Sequence, residues 1–372
     1  MNPAADPRPT APALTPLEQR LAERIAQDGP ITAADYMAAC LHDPQHGYYA
    51  TRPRLGAEGD FVTAPLVSQM FGELIGAWMA ELWDRLGRPA LFRLVEIGPG
   101  DGTLMSDVLR VLARLPGLLK AAEVWLIEPS GPLRALQAER LAAHGPTWAD
   151  RLGQVPGGAP VILVANEVLD CLPVRQFLRT DAGWAERRVG LDTEDRLAFG
   201  LTLAPPDFRP PEGLGQVVEG VVIEISPAQA AFGAEIGARV AQDGGAALLI
   251  DYGRDHAEPG DTLQALVAHQ KVDPLARPGE ADLTVHADFP TVAAAARAMG
   301  AQTAPILGQG DFLRRLGIEH RAAALARARP DLAERIARQL FRLTDDDQMG
   351  TLFKVLAIYH NGLSIPGFEA DT

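Results

Sequence analysis

The chain has 372 residues, a net charge of −14 and a hydrophobic content of 47%. Its length predicts one large α/β domain with additions, or two domains, and its composition is that of a globular protein with a sizeable core. The acidic charge argues against a nucleic-acid partner, because phosphate backbones bind clustered lysine and arginine side chains.

Cysteine and lysine usage indicates the compartment in which the chain works. The only two cysteines, Cys40 and Cys171, lie far apart and form no CxxC pair, so we expect reduced thiols. No stretch approaches the roughly 20 apolar residues of a membrane helix, so we expect no membrane insertion. Basic residues are nearly all arginine, which is typical of a GC-rich bacterial source. We therefore expect a cytoplasmic protein in a bacterium, or a mitochondrial matrix protein in a eukaryote.

A front section precedes the predicted core. Residues 1–15 are rich in proline and alanine and are predicted to form a disordered tail. Residues 16–90 are predicted to be a helical region, because apolar residues recur at helical spacing from Leu17 to Ile25 and from Val67 to Leu86. Between these helices, proline and glycine residues at 42–60 predict a loop.

Residues 91–255 are predicted to form an α/β core. Short buried strands alternate with amphipathic helices at 91–97, 104–115, 124–127, 132–143 and 161–165. This alternation predicts parallel βαβ units with right-handed crossovers, and a further buried strand follows at 244–250. An insertion at about 176–225 interrupts the core, and its alternating polarity predicts antiparallel strands.

Residues 256–365 are predicted to complete the sheet around a helical insertion. An alanine-rich helix at 289–299 precedes a short strand at 303–307. Residues 312–343 are predicted to be mostly helical, and 352–359 to be the last strand. The chain is therefore expected to carry helices both before the α/β core and within its last part.

A glycine-rich loop lies where the first core strand turns into a helix. Glu96 precedes Gly98, Gly100 and Gly102, whereas a dinucleotide fingerprint, GxGxxG, would put its third glycine at Thr103. This pattern resembles that of S-adenosylmethionine (SAM) sites, where a tight loop admits the methionine part and Glu96 can meet its ammonium. A tight turn without a ligand and a nicotinamide site are the alternatives.

Polar residues at strand ends supply the other predicted ligands. The second strand ends at Glu128, whose carboxylate can accept both ribose hydroxyls of SAM. The third strand ends at Asn166, Glu167 and Asp170, and ligands collect at this edge of a parallel sheet. We assign Asn166 to the cofactor, and Glu167 and Asp170 to catalysis, where they would grip a cationic acceptor or take up its proton. Alternatively, Asn166 and Asp170 cap the next turn.

Glu224 is a third catalytic candidate, because it interrupts an apolar strand. A buried carboxylate is either paired or functional, so Glu224 is predicted to reach the acceptor pocket or to pair with an arginine. Asp251 and Tyr252 close a buried strand and could line the same cleft. No metal site is predicted, since Cys40 and the histidines near it lack an evident fourth ligand.

Short segments between about residues 31 and 360 occur in a characteristic order. They are His46-Gly-Tyr-Tyr, Gly59-Asp-Phe-Val-Thr-Ala-Pro, Ser68-Gln-Met-Phe-Gly-Glu, Glu96 to Gly102, Asn166-Glu-Val-Leu-Asp, Ile223-Glu-Ile-Ser-Pro, Ile250-Asp-Tyr-Gly, Asp282-Leu-Thr-Val-His-Ala-Asp-Phe, Gly308-Gln-Gly-Asp-Phe-Leu and Met349-Gly-Thr-Leu-Phe-Lys. Together they resemble the MidA-like/NDUFAF7 family of class I SAM-dependent methyltransferases, whose mitochondrial members are complex I assembly factors. The glycine loop is common to many methyltransferases, but the combined set is specific.

This resemblance implies a class I SAM-methyltransferase fold: a Rossmann-like, seven-stranded mixed sheet with an antiparallel last strand, an N-terminal helical region and inserted helical and β elements. It implies SAM as cofactor and a protein substrate, through arginine N-methylation of a respiratory complex I subunit or a similar protein. Arginine methyltransferases of another family use two glutamates after the fourth sheet strand, which would make Glu167 their counterpart. The family usually has an acid where this chain has Leu66, so this departure could alter affinity or specificity.

Two other functions stay open at this point. A non-enzymatic assembly factor that retains SAM binding for folding or regulation fits the same pattern, and so does a small-molecule N- or O-methyltransferase. The sequence leaves the methyl acceptor, the number of methyl groups transferred and the oligomeric state open.

Overall fold

The computed structural model describes residues 14–51 and 63–369. Most of the predicted N-terminal tail and part of the predicted loop at 42–60 lie outside these residues. The helices of the described ranges are α1 Pro16–Asp28, α2 Ala33–His42, α3 Tyr48–Thr51, α4 Ala64–Val67, α5 Gln69–Arg85, α6 Thr103–Leu112, α7 Leu118–Ala121, α8 Gly131–Arg140, α9 Pro227–Asp243, α10 Phe289–Ala298, α11 Gln309–Arg315, α12 Ile318–Ala328 and α13 Ala333–Thr344.

The strands of the described ranges form three sheets. They are β1 Ile31–Thr32, β2 Phe92–Ile97, β3 Ala122–Ile127, β4 Thr147–Ala149, β5 Val161–Asn166, β6 Arg175–Thr180, β7 Gly183–Leu191, β8 Leu197–Leu203, β9 Val222–Ile225, β10 Gly245–Arg254, β11 Gln264–Val267, β12 Gln270–Val272, β13 Asp282–Thr284, β14 Ala287–Asp288, β15 Gln302–Thr303, β16 Leu307–Gly308 and β17 Phe353–Tyr359. The core sheet contains β2–β5, β10 and β14–β17, the second sheet β1 and β6–β9, and the third sheet β11–β13.

The core sheet has the strand order β15–β17–β10–β5–β2–β3–β4. Strands β4, β3, β2, β5 and β10 run parallel, and β17 is antiparallel to β10. The two-residue strands β14 and β16 extend this sheet by pairing with β10 and β17. The expected seven-stranded mixed sheet with an antiparallel last strand is confirmed, with two short strands added to it.

The strand order reverses next to β2. From β2 the chain passes to β3 on one side, and later crosses to β5 on the other side. The connections that leave these strands therefore diverge, and a crevice opens beyond the carboxyl ends of β2 and β5. In open α/β sheets this crevice is where ligands bind, so the topology points to one edge of the core sheet.

Helices cover both faces of the core sheet and bury two hydrophobic clusters. One cluster includes apolar side chains of α5, α6, α11, α12 and α13, and the other those of α9 and α10. Helices α9 and α10 approach each other closely, because a Cβ on Gly237 would lie 2.6 Å from the backbone of Ala296. Glycine at this position therefore sets the spacing of the layer that covers β10.

The insertion predicted at about 176–225 forms most of the second sheet. Strands β6 to β9 pair antiparallel, and β1 from the N-terminal region pairs antiparallel with β7. The expectation of antiparallel strands is confirmed. Apolar residues of α1 and α2 pack with those of the second and third sheets, which brings the segment after α2 to the crevice of the core.

Two details differ from the predicted elements. The third sheet was not predicted, because its strands have only three or four residues and lack a clear alternation. The strand predicted at 303–307 consists of the two short strands β15 and β16, because Pro305 between them has no N–H for the ladder. None of the helices in the described part of the chain is long and apolar enough to span a bilayer.

Candidate active site

A cavity of about 400 Å³ opens at the carboxyl ends of β2, β3 and β5, where the strand order reverses. It brings together most of the predicted site residues, although they lie far apart in the sequence. The predicted residues in its lining are Glu96, Gly98, Gly100, Glu128, Asn166, Glu167 and Asp170. Gly102 and Glu224 lie outside the lining.

The glycine loop forms one wall of the cavity. Gly98, Gly100 and Gly102 have φ angles of 64°, 55° and 82°, in the left-handed region that glycine tolerates. A Cβ on Gly98 would also lie 2.8 Å from a methyl carbon of Val168. Gly102 precedes α6 and donates its N–H to the Pro99 carbonyl at 2.8 Å. It therefore shapes the loop without lining the cavity.

Side chains of α8 hold the loop in place, a role that the local sequence pattern does not predict. Gln137 donates to the Gly100 carbonyl at 2.7 Å, and its own amide oxygen accepts from Trp148 at 2.8 Å. Arg140 forms an ion pair with Asp101, with 2.9 Å between Nη2 and Oδ2. Because these contacts fix the loop within the protein itself, less ordering is needed when a ligand binds.

Two buried oxygens of the lining lack partners among the described residues. They are Oε2 of Glu96, whose residue is 2% exposed, and Oδ1 of Asn166. Burial, and then the negative charge of Asp101, raises the pKa of Glu96 to about 8. A buried polar atom without a partner is costly. Glu96 is therefore suited to a cationic ligand group, which would supply both a hydrogen bond and a compensating charge.

Glu128 follows β3 and brings a second carboxylate to the same wall. Its Oε1 accepts from the Ser130 N–H at 2.8 Å, and its own N–H donates to the Ala149 carbonyl at 3.0 Å. Burial raises the pKa of Glu128. Since an ionised carboxylate has about four acceptor positions, Glu128 keeps the capacity to accept from hydroxyl groups of a ligand.

Glu167 occupies the turn after β5 in a strained backbone conformation. Its φ is 55°, a left-handed value that costs a non-glycine residue roughly 1–2 kcal/mol. Its Oε1 accepts from the Asn166 amide at 3.0 Å and from the Ala64 N–H at 3.2 Å. Burial, and then the negative charge of Asp170, raises the pKa of Glu167 to about 8. Strain of this kind persists only where the surroundings enforce it, and it clusters at active sites.

Asp170 and Asp282 add carboxylates beside Glu167. Asp170 accepts from the Tyr252 hydroxyl at 2.8 Å, and burial raises the pKa of Asp170 to about 6. Asp282 reaches the cavity from β13 in the third sheet, and its charge adds to the raised pKa of Glu167. The sequence does not predict this place for Asp282, because no local pattern indicates that β13 reaches the cavity.

The N-terminal region contributes aromatic side chains to the cavity. His42 and Tyr49 stack with ring centroids 5.7 Å apart, and Tyr48 meets Tyr49 edge to face at 5.4 Å. Burial lowers the pKa of His42, so its imidazole is neutral at pH 7. The sequence suggests a metal site only weakly here and includes His46-Gly-Tyr-Tyr in the family resemblance, but it does not predict that these rings line the cavity. Within the described residues, no group of three or more His, Cys, Asp or Glu is arranged to hold a metal ion.

The lining is strongly acidic. Its carboxylates belong to Glu96, Asp101, Glu128, Asp150, Glu167, Asp170, Glu235 and Asp282. Among the described residues of the lining, Arg151 is the one arginine, and no lysine lies there. A negative and partly desolvated cavity attracts cationic ligands and repels phosphate and carboxylate groups. The arrangement therefore suits a cationic cofactor and a cationic or neutral acceptor.

Glu224 lies in β9 of the second sheet, apart from the other predicted acceptor residues. Its Oε1 accepts from the Gln176 amide at 2.8 Å and from the Thr262 N–H at 2.9 Å, and its Oε2 from the Thr262 hydroxyl at 2.6 Å. These neutral donors satisfy the carboxylate, in place of the acceptor pocket or the arginine considered from the sequence. Leu66, by contrast, lines the cavity, so the departure from the resembled family falls in the site itself.

Comparison with known proteins shows what this chain is similar to. Residues 74–307 match a family described as "Putative S-adenosyl-L-methionine-dependent methyltransferase". The mitochondrial protein arginine methyltransferase NDUFAF7 of Rattus norvegicus is 36% identical, over 93% of this chain and 84% of its own length. The Homo sapiens protein of that name is 35% identical, over 94% and 85%. A candidate methyl transferase from Burkholderia thailandensis, crystallised with S-adenosyl-homocysteine, has a TM-score of 0.81 and 30% identity, and the match covers 97% of this chain and 96% of that one.

Proposed function

The chain belongs to the family of S-adenosyl-L-methionine-dependent methyltransferases, and from this premise we propose that it methylates an arginine side chain of a protein. The observation that carries the proposal is the position of Glu167 and Asp170, whose side chains line the same cavity as the glycine loop. Paired carboxylates bind a planar guanidinium through charge-assisted hydrogen bonds. The relatives named protein arginine methyltransferase, which align with more than nine-tenths of the chain, support the same assignment.

The cofactor supplies an electrophilic methyl group on a sulfonium sulfur. In our proposal Glu96 binds the ammonium of its methionine part, and Asn166 accepts a further hydrogen bond, since both side chains have buried oxygens without partners among the described residues. Gly98 and Gly100 let the main chain approach the cofactor closely, and Glu128 accepts from its ribose hydroxyls. The acidic lining complements the positive charges of the cofactor.

Glu167 and Asp170 hold the acceptor guanidinium so that one nitrogen faces the sulfonium methyl, in line with the sulfur that departs. The charge of the guanidinium favours the ionised form of Glu167 and lowers the pKa of this carboxyl from about 8. As the N–C bond forms and the C–S bond breaks, the nitrogen loses one proton, which Glu167 accepts and passes to solvent. Proximity, orientation and charge placement supply the acceleration.

The acceptor protein and the compartment belong to the same proposal. A respiratory complex I subunit is the first protein to test, because the family resemblance implies it. The curated relatives are named as mitochondrial proteins. For this chain we propose the bacterial cytoplasm, or the mitochondrial matrix in a eukaryote, in keeping with its preference for arginine over lysine. The acidic lining supports a protein acceptor over a nucleic acid, whose phosphates it would repel.

Transfer of a labelled methyl group from SAM to undermethylated cell protein tests the proposal. The matched control is Glu128→Ala, which we expect to lose cofactor binding. We expect a labelled band that depends on the wild-type protein, with the label recovered as methylarginine after hydrolysis. Label on lysine, on carboxyl groups or on small molecules alone would overturn the arginine assignment. So would an absence of label when calorimetry shows SAM bound, because that result fits a SAM-binding assembly factor.

A further inference from the structure

Asp251 is fully buried within β10, directly after the last residue of this strand that pairs with β5, and lies outside the cavity lining. Its Oδ2 accepts from the backbone N–H groups of Leu169 and Asp170, at 2.8 and 3.1 Å. Its Oδ1 accepts from the N–H of Tyr252 at 2.8 Å. Three backbone donors thus converge on one carboxylate, and two of them belong to the turn that carries Glu167.

Strand β10 fixes this turn at two further points. The N–H of Glu167 donates to the Ile250 carbonyl at 2.8 Å, and the Tyr252 hydroxyl donates to Oδ2 of Asp170 at 2.8 Å. Residues 250–252 therefore hold both ends of the turn from Glu167 to Asp170. Glu167 has its left-handed φ of 55° within this turn, so the bonds to β10 enforce a conformation that the residue would otherwise avoid.

We propose that Asp251 is a positioning residue, which directs the carboxylates of Glu167 and Asp170 toward the methyl acceptor. This inference rests on the proposed function of those two residues. A carboxylate is the side chain that fits, because it offers two acceptor oxygens and no donor. An asparagine of the same shape would turn its NH₂ group toward at least one of the three N–H donors and lose that hydrogen bond.

The negative charges of neighbouring carboxylates make it costly to bury the Asp251 carboxylate for a structural role alone. Asp170 lies on the same turn, Asp251 on β10 and Asp282 on β13, and the charges of Asp170 and Glu167 raise the pKa of Asp251 beyond what burial does. A buried carboxylate next to others is stable only where donors compensate it. The three N–H donors supply that compensation, and in return the carboxylate holds the turn.

Asp251→Asn tests the inference, with Glu224→Gln as a matched control, because both variants replace a buried carboxylate that accepts three hydrogen bonds. The two readouts are the Kd of SAM by calorimetry and the pKa of Glu167 by carbon NMR of its carboxyl group. Neither readout requires the acceptor to be known. We expect both proteins to bind SAM within about twofold of the wild type. In Asp251→Asn alone, the pKa of Glu167 falls from about 8 toward its usual range, since the turn loosens and admits solvent.

The second part of the test measures kcat, once an acceptor protein has been identified. A misplacement of about 1 Å can cost on the order of 10²-fold in rate, so kcat of Asp251→Asn should fall by that order while Glu224→Gln stays near the wild type. An unchanged pKa of Glu167 in folded Asp251→Asn would overturn the positioning role. A shifted pKa without any arginine methylation would overturn the proposed acceptor and leave the positioning role standing.

Tyr252→Phe keeps the inference testable if Asp251→Asn does not fold. This variant removes only the hydroxyl that donates to Asp170. Since that hydrogen bond stabilises the ionised carboxylate, we expect the pKa of Asp170 to rise above about 6 and the kcat to fall, with SAM binding unchanged. An Asp170 that titrates as in the wild type would show that β10 does not set the acceptor carboxylates.

Discussion

Glu167 and Glu224 are both buried glutamates, but Glu167 directly follows a strand of the core sheet and Glu224 lies within a strand of the second sheet. Glu224, in the second sheet, accepts three hydrogen bonds of 2.6 to 2.9 Å on both of its oxygens. Glu167, at the edge of the core sheet, accepts two longer ones of 3.0 and 3.2 Å on a single oxygen, from a left-handed backbone. Burial of a carboxylate therefore does not mark a site by itself. A buried carboxylate is a better candidate for a functional site where its hydrogen bonding is incomplete and it lines a cavity.

The pH dependence of methyl transfer should show the largest effect of this difference. A guanidinium stays protonated far above neutral pH, so binding of the acceptor requires Glu167 to be ionised. With Glu167 at a pKa of about 8, kcat/KM for the acceptor at saturating SAM should fall roughly tenfold per unit below pH 8 and level off above it. Below about pH 6, protonation of Asp170 adds a second step.

The Glu224→Gln variant is the control for this profile, since Glu224 does not line the cavity. Its profile should overlay that of the wild type. A wild-type rate that stays constant from pH 6 to 8 would mean that ionisation of Glu167 plays no part in acceptor binding.

Cofactor binding should show the next largest effect. Glu128→Ala removes hydrogen bonds between an ionised carboxylate and the ribose hydroxyls, which are worth about 1.5–3 kcal/mol each, so calorimetry should give a SAM Kd at least 10-fold higher. Glu123→Ala, on the exposed surface of the strand β3 that precedes Glu128, is the control and should bind SAM as the wild type does. Equal affinities in the two variants would remove Glu128 from the cofactor site.

Replacement of Glu224 should lower the free energy of unfolding and leave the cavity unchanged. Glu224→Gln places an NH₂ group against the donors of Gln176 or Thr262, and a buried donor left unpaired costs about 1–3 kcal/mol. We expect urea unfolding to show a loss of that size, with kcat and the Kd of SAM within about twofold of the wild type. A loss of turnover in a folded Glu224→Gln protein would bring Glu224 back into the acceptor site.

Backbone strain should produce the smallest effect. It is the difference in the free energy of unfolding between glycine and alanine variants, and its sign should be opposite at Glu167 and Glu224. Glycine tolerates the left-handed φ of Glu167, so Glu167→Gly should be more stable than Glu167→Ala by about 1 kcal/mol. At Glu224, within strand β9, the order should reverse. Glu224→Ala should be more stable than Glu224→Gly, because glycine weakens a strand interior by about 0.5–1 kcal/mol relative to alanine. Denaturant titrations of the four variants measure this, and the same order at both positions would show that the turn at Glu167 is relaxed.

The part of the cavity that we propose for the cofactor could be predicted from local sequence signals. The glycine spacing after Glu96 and the acid after the second strand lie at strand ends, and parallel strands bring their carboxyl ends to one edge. Gly102 shows the limit of the same signal. Its left-handed φ explains the glycine, but this residue shapes the loop instead of lining the cavity.

The part of the cavity that we propose for the acceptor could be predicted only partly, because its contacts are distant in sequence. Glu167 and Asp170 follow a strand, and that rule predicts their place in the cavity lining. Glu224 was placed with them because the partners that satisfy it, Gln176 and Thr262, are 48 and 38 residues away and leave no mark on its own segment. Asp282 reaches the cavity from a three-residue strand that periodicity cannot reveal.

A single-turnover measurement on Glu167→Gln and Glu224→Gln tests the central claim most directly, that the edge of the core sheet holds the acceptor. Each protein is saturated with labelled SAM and mixed with the acceptor protein, and the rate of methyl transfer is followed. We predict that Glu167→Gln binds SAM normally but transfers the methyl group at least on the order of 10²-fold more slowly than the wild type. Glu224→Gln should transfer it at the wild-type rate. Equal rates for the two variants, or a slower Glu224→Gln, would contradict the account.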